Sequence, residues 1–153
     1  MKTKPLMLVL ALTASLALFA CGDEKQEQSA SAAPEYNYIS AEDTAKIIRD
    51  NDSGYAIIDI QLKDNFDKHH LQGAIPTYAF PGDNPEMHEK LKAGLADVKD
   101  GQKIIIVCPR GGGGAKNTIN YYRSIGVAND RLLILQNGQE GWPSALTEVM
   151  VTN

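Results

Sequence analysis

Apolar positions along the chain alternate between short unbroken runs and runs spaced at helical intervals. Tyr36-Asn37-Tyr38-Ile39 predicts a short edge strand. Ser40, with Asp43 three residues on, is an N-cap signal, and Ala41, Ala45 and Ile48 then recur at helical spacing. Tyr55 to Ile60 predicts a buried strand that ends in polar groups at Asp59 and Gln61, and Asn65 to His69 a single helical turn. A third strand is expected over Ala74 to Tyr78, followed by the loop Pro81-Gly82-Asp83-Asn84-Pro85. Met87, Leu91, Leu95 and Val98 line one face of a second helix. Lys103 to Val107 predicts a fourth strand, Ala115, Ile119 and Tyr122 mark a third helix, and Leu132 to Leu135 predicts a fifth strand. A short helix is expected after Trp142-Pro143. Strands that alternate with helices, several of them apolar on both faces, indicate an α/β fold: a five-stranded, mainly parallel sheet with helices on both sides. Ligands of such sheets sit beyond the C-terminal strand ends, which places Cys108 and Gln61 on one expected rim.

The first 35 residues break this pattern. Lys2 and Lys4 precede an uncharged apolar run, Leu6 to Ala20, too short to span a bilayer and suited to the core of a signal peptide. Its end, Leu18-Phe19-Ala20-Cys21, resembles the lipobox of bacterial lipoproteins. That resemblance implies removal of residues 1–20 and acylation of Cys21, palmitate included. The domain would then be exported and held at the cell envelope. Gly22 after the cysteine resembles the outer-membrane pattern, with the domain facing the periplasm. Residues 21–35 contain no large apolar side chain and predict a flexible tether, leaving 36–153 as the folded domain.

Composition narrows the function classes. With 43% hydrophobic residues a core is affordable, and a formal charge of −4 from 15 basic and 19 acidic side chains argues against a nucleic-acid binder. The chain has two cysteines. Acylation of Cys21 leaves Cys108 without a disulfide partner.

Cys108 stands where an apolar strand meets Cys-Pro-Arg-Gly-Gly-Gly-Gly-Ala. Glycines let backbone amides turn toward a bound anion, and a helix beginning near Ala115 would add its N-terminal amides and dipole. Arg110 and Lys116 are candidate cations for the same pocket. Amides of Arg110, Gly111, Gly112, Gly113, Gly114 and Ala115 would form a cradle that favours a thiolate or a sulfur anion carried on it. A buried, inert cysteine beside a plain connector is the competing reading. A nucleotide P-loop is not expected, because the loop does not end in Gly-Lys-Ser/Thr.

From Ile39 to about Val149 the chain resembles a rhodanese-like domain. The resemblance rests on Ile57-Ile58-Asp59-Ile60-Gln61 followed by Phe66 and His70-Leu71-Gln72-Gly73-Ala74-Ile75. It continues in Ile105-Ile106-Val107-Cys108, and in Leu133-Ile134-Leu135-Gln136-Asn137-Gly138 with Gly141-Trp142. It implies a sulfurtransferase in which Cys108 takes a sulfane sulfur from a small donor and yields it to a thiol or cyanide. No cofactor is implied. Asp59, His70, Gly73 and Trp142 fall at the family's structural positions. Two departures matter: Gln61 replaces the usual arginine, and the loop lacks an arginine near its end, its only one being Arg110. The loop is also one residue longer, as judged from the later Gly126-Val127 turn. Longer loops occur in rhodanese-fold phosphatases and arsenate reductases, whose terminal arginine is absent here. Two alternatives therefore stand beside sulfur transfer: a sensory or binding module for a small anion or a protein partner, and an oxyanion phosphatase or reductase. His69-His70 and His88 suggest no metal site, since no cysteine or carboxylate cluster at ligand spacing accompanies them.

Overall fold

A computed structural model describes residues 35–153. The leader, Cys21 and all but the last residue of the tether lie outside the described residues. The chain runs β1 (Asn37–Ile39), α1 (Ala41–Arg49), β2 (Tyr55–Asp59), α2 (Lys63–Lys68), β3 (His69–Leu71), β4 (Ile75–Pro76), α3 (Pro85–Leu95), β5 (Lys103–Val107), α4 (Gly113–Ser124), β6 (Leu132–Leu135) and β7 (Met150–Thr152). 3-10 segments occupy Asn129–Arg131 and Ser144–Val149, the second kinked at Leu146.

Local chemistry explains where the helices start. Ser40 Oγ accepts the Asp43 amide at 3.0 Å, Glu42 and Asp43 occupy the first turn of α1, and Lys46 and Arg49 its last, each sign matched to the helix dipole. Asn84 Oδ1 accepts the Met87 amide at 3.1 Å, with Pro85 opening α3.

Five strands form one sheet in the order β1-β6-β5-β2-β4, with every pairing parallel. Strand alternation divides the core in two. Ile104 and Ile106 of β5 pack with Leu91, Ile119 and Tyr122 under α3 and α4, whereas Ile105 and Val107 pack with Leu71, Ile47 and Trp142 on the α1 side. Burying an isoleucine contributes about 1.5–3 kcal/mol, so the four consecutive buried apolar residues of β5 anchor both layers.

Three local expectations are corrected. The third strand shrinks to Ile75–Pro76. The single turn at Asn65 to His69 is a six-residue helix, Lys63–Lys68, and His69 instead begins β3. β3 pairs antiparallel with β7 in a separate two-stranded ribbon, His69 opposite Thr152 and Leu71 opposite Met150. Three-residue strands carry too little pattern to be read from sequence, and their stability comes from each other and from the core beneath.

Candidate functional site

Register brings the sheet's polar end together. Asp59 lies opposite Val107, and the Ile60 amide donates to the Val107 carbonyl at 2.9 Å, so Cys108 leaves β5 beside Ile60. Cys108 continues the Ile104, Ile106 row into the α3–α4 layer and is 2% exposed. It lines a cleft of ≈ 280 Å³ with Phe80, Pro81, Arg110, Gly113 and Asn117. A thiol almost wholly shielded from solvent but bordering a cavity is protected without being sealed in the core.

The loop beyond it turns quickly. α4 begins at Gly113 with Gly112 as N-cap, two residues earlier than the start near Ala115 expected from sequence. The first amide after Cys108 with a backbone acceptor among the described residues is that of Lys116, which donates to Gly112 O at 3.2 Å. Amides from Arg110 through Ala115 are therefore uncommitted, the last four of them, Gly112 to Ala115, because the opening turn of a helix leaves its amides free.

The four glycines are not equivalent. Gly111 has φ +63, and a Cβ there would lie 2.7 Å from Leu135 O and 2.8 Å from Asn137 N. Gly114 admits Phe80, whose ring would be 2.8 Å from an added Cβ. Around Gly112 and Gly113 nothing lies within 4 Å of that position, so their missing side chains leave the mouth of the cleft open. Ala115 is buried in the core. The glycine whose backbone demands it is thus Gly111, not Gly113.

Two proposed pocket residues do not line the Cys108 cleft, although Gln61 follows β2 at the same C-terminal rim of the sheet as Cys108. Gln61 is buried and turns back on Asp59: its amide donates to Asp59 Oδ1 at 2.8 Å and its Nε2 to Oδ2 at 3.0 Å. Burial is the main cause that lifts the Asp59 carboxyl to about 6, against the downward pull of those two donors and of His70. Gln61 thus supplies hydrogen bonds, but no charge, to this aspartate. Lys116 points its ammonium over the Tyr36 ring, 5.4 Å from the centroid, and does not line the Cys108 cleft.

The remaining family positions have local roles. His70 stacks on Phe66 with centroids 3.9 Å apart, and its Nδ1 lies 2.7 Å from Phe66 O. Gly73 adopts φ +74 in the turn before β4. Trp142 packs on the α1-side core and donates Nε1–H to Leu146 O at 3.0 Å.

Sequence reasoning missed Phe80, Pro81 and Asn117. Asn117 stands four residues after Gly113, one helical turn along the same face, a spacing readable in advance. Phe80 and Pro81 arrive from the segment after β4, and only the fold carries them to Cys108. Asn117 Nδ2 donates to Pro81 O at 3.1 Å, tying that segment to α4. Clefts of ≈ 290 and ≈ 330 Å³ beside Ile47, Asp52 and Tyr55 lie at the N-terminal end of β2, the opposite end of the parallel sheet from Cys108.

A family model for the rhodanese-like domain matches residues 40–145. No curated protein matches. Among solved structures, a rhodanese-like domain from Anabaena aligns with a TM-score of 0.59 at 13% identity, covering 78% of this chain and 81% of that one. An As-Sb reductase from Leishmania major aligns at 0.54 and 20% identity, covering 76% and 85%. A Rhodopseudomonas palustris protein of unknown function, described as a possible tyrosine phosphatase, aligns at 0.52 and 12% identity, covering 72% and 81%. Likeness at these identities speaks for the shared fold.

Proposed function

Because the chain belongs to the rhodanese-like domain family, we propose that it is a sulfurtransferase that carries a sulfane sulfur on Cys108. The observation that carries this reading is one nucleophilic sulfur bordering a cleft at a strand end, followed by six uncommitted amides from Arg110 to Ala115. Such amides stabilise a thiolate, and equally the outer sulfur of a persulfide. The Cys108 thiolate attacks the outer sulfur of a donor such as thiosulfate. The donor's S–S bond breaks as the new one forms, and sulfite leaves with the bonding pair. Cyanide or a thiolate then attacks the persulfide's outer sulfur, and Cys108 departs as thiolate. Electrons and charge balance without a cofactor.

The test is mass spectrometry of the protein after incubation with thiosulfate or an organic persulfide. One added sulfur on Cys108, reversed by excess thiol and missing in Cys108→Ser, supports the reading. An accessible thiol that takes sulfur from neither donor overturns it. Oxyanion phosphatase or reductase chemistry is less well supported, because Gly114 and Ala115 at the end of the loop offer no cation. A binding module would hold its ligand equally well in Cys108→Ser.

For location, the proposal is that Cys21 bears the lipid anchor and tethers the domain to the bacterial envelope, facing the periplasm at the outer membrane. It rests on the Lys2 and Lys4 head, the Leu6 to Ala20 run and the cysteine that ends it.

A further inference from the structure

The Cys108 cleft lies between the opening turn of α4 and a strap, residues 78–83, that carries Phe80 and Pro81 to the sulfur. We propose that Asn117 is the positioning residue that holds this strap against α4, and that the strap so held limits the size of the reactants that reach Cys108. Where it concerns sulfur, this rests on the sulfur-transfer reading of Cys108; where it concerns access to the thiol, it does not.

The strap has little hydrogen-bonded support of its own. Its upstream root is fixed, since the Thr77 amide and Thr77 Oγ1 both donate to Asp59 O, at 2.9 and 3.0 Å. Its downstream root is Asn84, the N-cap of α3. Between them, no backbone N–H or C=O of residues 78–83 has a backbone partner among the described residues. The one side-chain hydrogen bond to a main-chain atom of the strap, among the described residues, is that of Asn117 Nδ2 to Pro81 O at 3.1 Å. Segments with so few bonds open at the lowest free energy.

Packing supplies the rest of the hold. Ala79 is buried, and the Phe80 ring fills the space that a Cβ on Gly114 would need, 2.8 Å away. Gly82, at φ +76, lies against Thr118, whose Oγ1 would be 3.0 Å from an added Cβ. Thr118 Oγ1 in turn donates to Gly114 O at 3.0 Å. α4 thus meets the strap through Gly114, Asn117 and Thr118, and the contact made by Asn117 is the directional one. Cys108 is 2% exposed yet borders a cleft of ≈ 280 Å³, just below the roughly 300–1,000 Å³ of pockets that take drug-sized ligands. Small anions and short thiols suit such a cleft. A reactant with a large body must push Phe80 and Pro81 aside, and that movement breaks the Asn117 bond. One hydrogen bond of this kind shifts an open-to-closed balance by roughly three- to tenfold.

The test is alkylation of Cys108 in the full chain, read by peptide mapping so that Cys21 is counted separately. Iodoacetamide is the small reagent, and the same reactive group carried on fluorescein is the bulky one. Relative to a free cysteine peptide, the wild type should favour the small reagent; a wild type that does not discriminate overturns the proposal. Asn117→Leu keeps the side-chain volume and removes the donor. It should raise the bulky-to-small rate ratio about three- to tenfold. Gly82→Ala should act alike by a second route, because its methyl presses on Thr118; Asn117→Leu decides alone if that variant does not fold. A ratio that stays at the wild-type value in Asn117→Leu overturns the proposal, even where both rates rise together, as they would if the substitution only loosened the whole domain. With persulfide on Cys108, Asn117→Leu should also raise the rate of discharge by glutathione relative to that by cyanide. An unchanged discharge ratio overturns the size limit on sulfur acceptors. If Cys108 accepts sulfur from no donor, the sulfur-transfer reading fails, and the alkylation ratio still decides the role of Asn117.

Discussion

The backbone N–H of Gln139 donates to the carbonyl oxygen of Cys108 at 2.9 Å. The turn after β6 is thereby fastened to the first residue of the Cys108 loop. Glu140 N repeats the contact on Pro109 O at 2.8 Å, and Gly138 fills the space between. A Cβ on Gly138 would meet Cys108 O at 2.2 Å and Gly111 N at 2.5 Å, with φ already at +61. Gly138→Ala should therefore cost stability on the order of 1–3 kcal/mol from the strained backbone alone. It should also displace the loop and remove most sulfur uptake by Cys108. Gly113→Ala, where the added methyl meets nothing within 4 Å, should keep wild-type stability within about 0.5 kcal/mol. Urea unfolding and mass-spectrometric sulfur loading of the two variants check the pair; equal behaviour would remove the turn from the account of the loop.

Asp59 gives the fold a pH signature opposite to that of an ion-paired carboxylate. Burial raises its folded pKa to about 6 from the ordinary aspartate value of 3.8. The folded chain therefore holds the proton more tightly than the unfolded one. With respect to this group, stability is greatest below about pH 4 and falls as pH rises through about 6, after which the cost is constant. Relative to Asp59→Asn, the wild type should lose about 3 kcal/mol at most between those limits. Denaturant unfolding of both proteins from pH 4 to 7.5 measures it; a constant difference across that range would contradict the assignment.

Tyr122, on the inner face of α4, is fully buried and donates its hydroxyl to Leu91 O at 2.9 Å, binding α4 to α3. Burial, with Tyr121 adding to it, pushes its ionisation far above the ordinary tyrosine range, so it stays a donor at any working pH. Tyr122→Phe should cost about 1 kcal/mol and leave sulfur loading of Cys108 intact. A change in loading without a change in stability would mean that the helix pair positions the cleft more directly than its packing indicates.

If Cys21 carries the anchor, Cys21→Ser should shift the protein from the membrane to the soluble fraction, or accumulate it with residues 1–20 still attached. Membrane fractionation with intact-mass measurement decides it. Wild-type protein recovered without detergent, bearing an unmodified Cys21, would end the lipoprotein reading.

Lys103 to Val107 announces itself as a doubly buried strand in sequence, because no polar residue interrupts it after the lysine. α1 is equally legible from Ser40 and Asp43, since a cap is a contact over three residues. The parallel α/β architecture follows from such local patterns in alternation, and Cys108 before a glycine run marks the candidate nucleophile. Contacts between segments distant in sequence were decided by the tertiary structure. Gly111, Gly112, Gly113 and Gly114 are identical letters, and only the approach of Leu135 and Asn137 shows which one needs a positive φ. Gln61 and Lys116 are polar residues near the loop in sequence or rim position, yet Asp59 draws the first inward and Tyr36 attracts the second away. Phe80, by contrast, carries no local sign of function and reaches Cys108 only through the packing of the segment after β4. The β3–β7 ribbon joins residues some eighty positions apart, and no periodicity within either three-residue strand encodes a partner that far away. Local propensity is written in neighbouring residues; which polar side chain faces which cavity is settled by the whole set of competing long-range contacts.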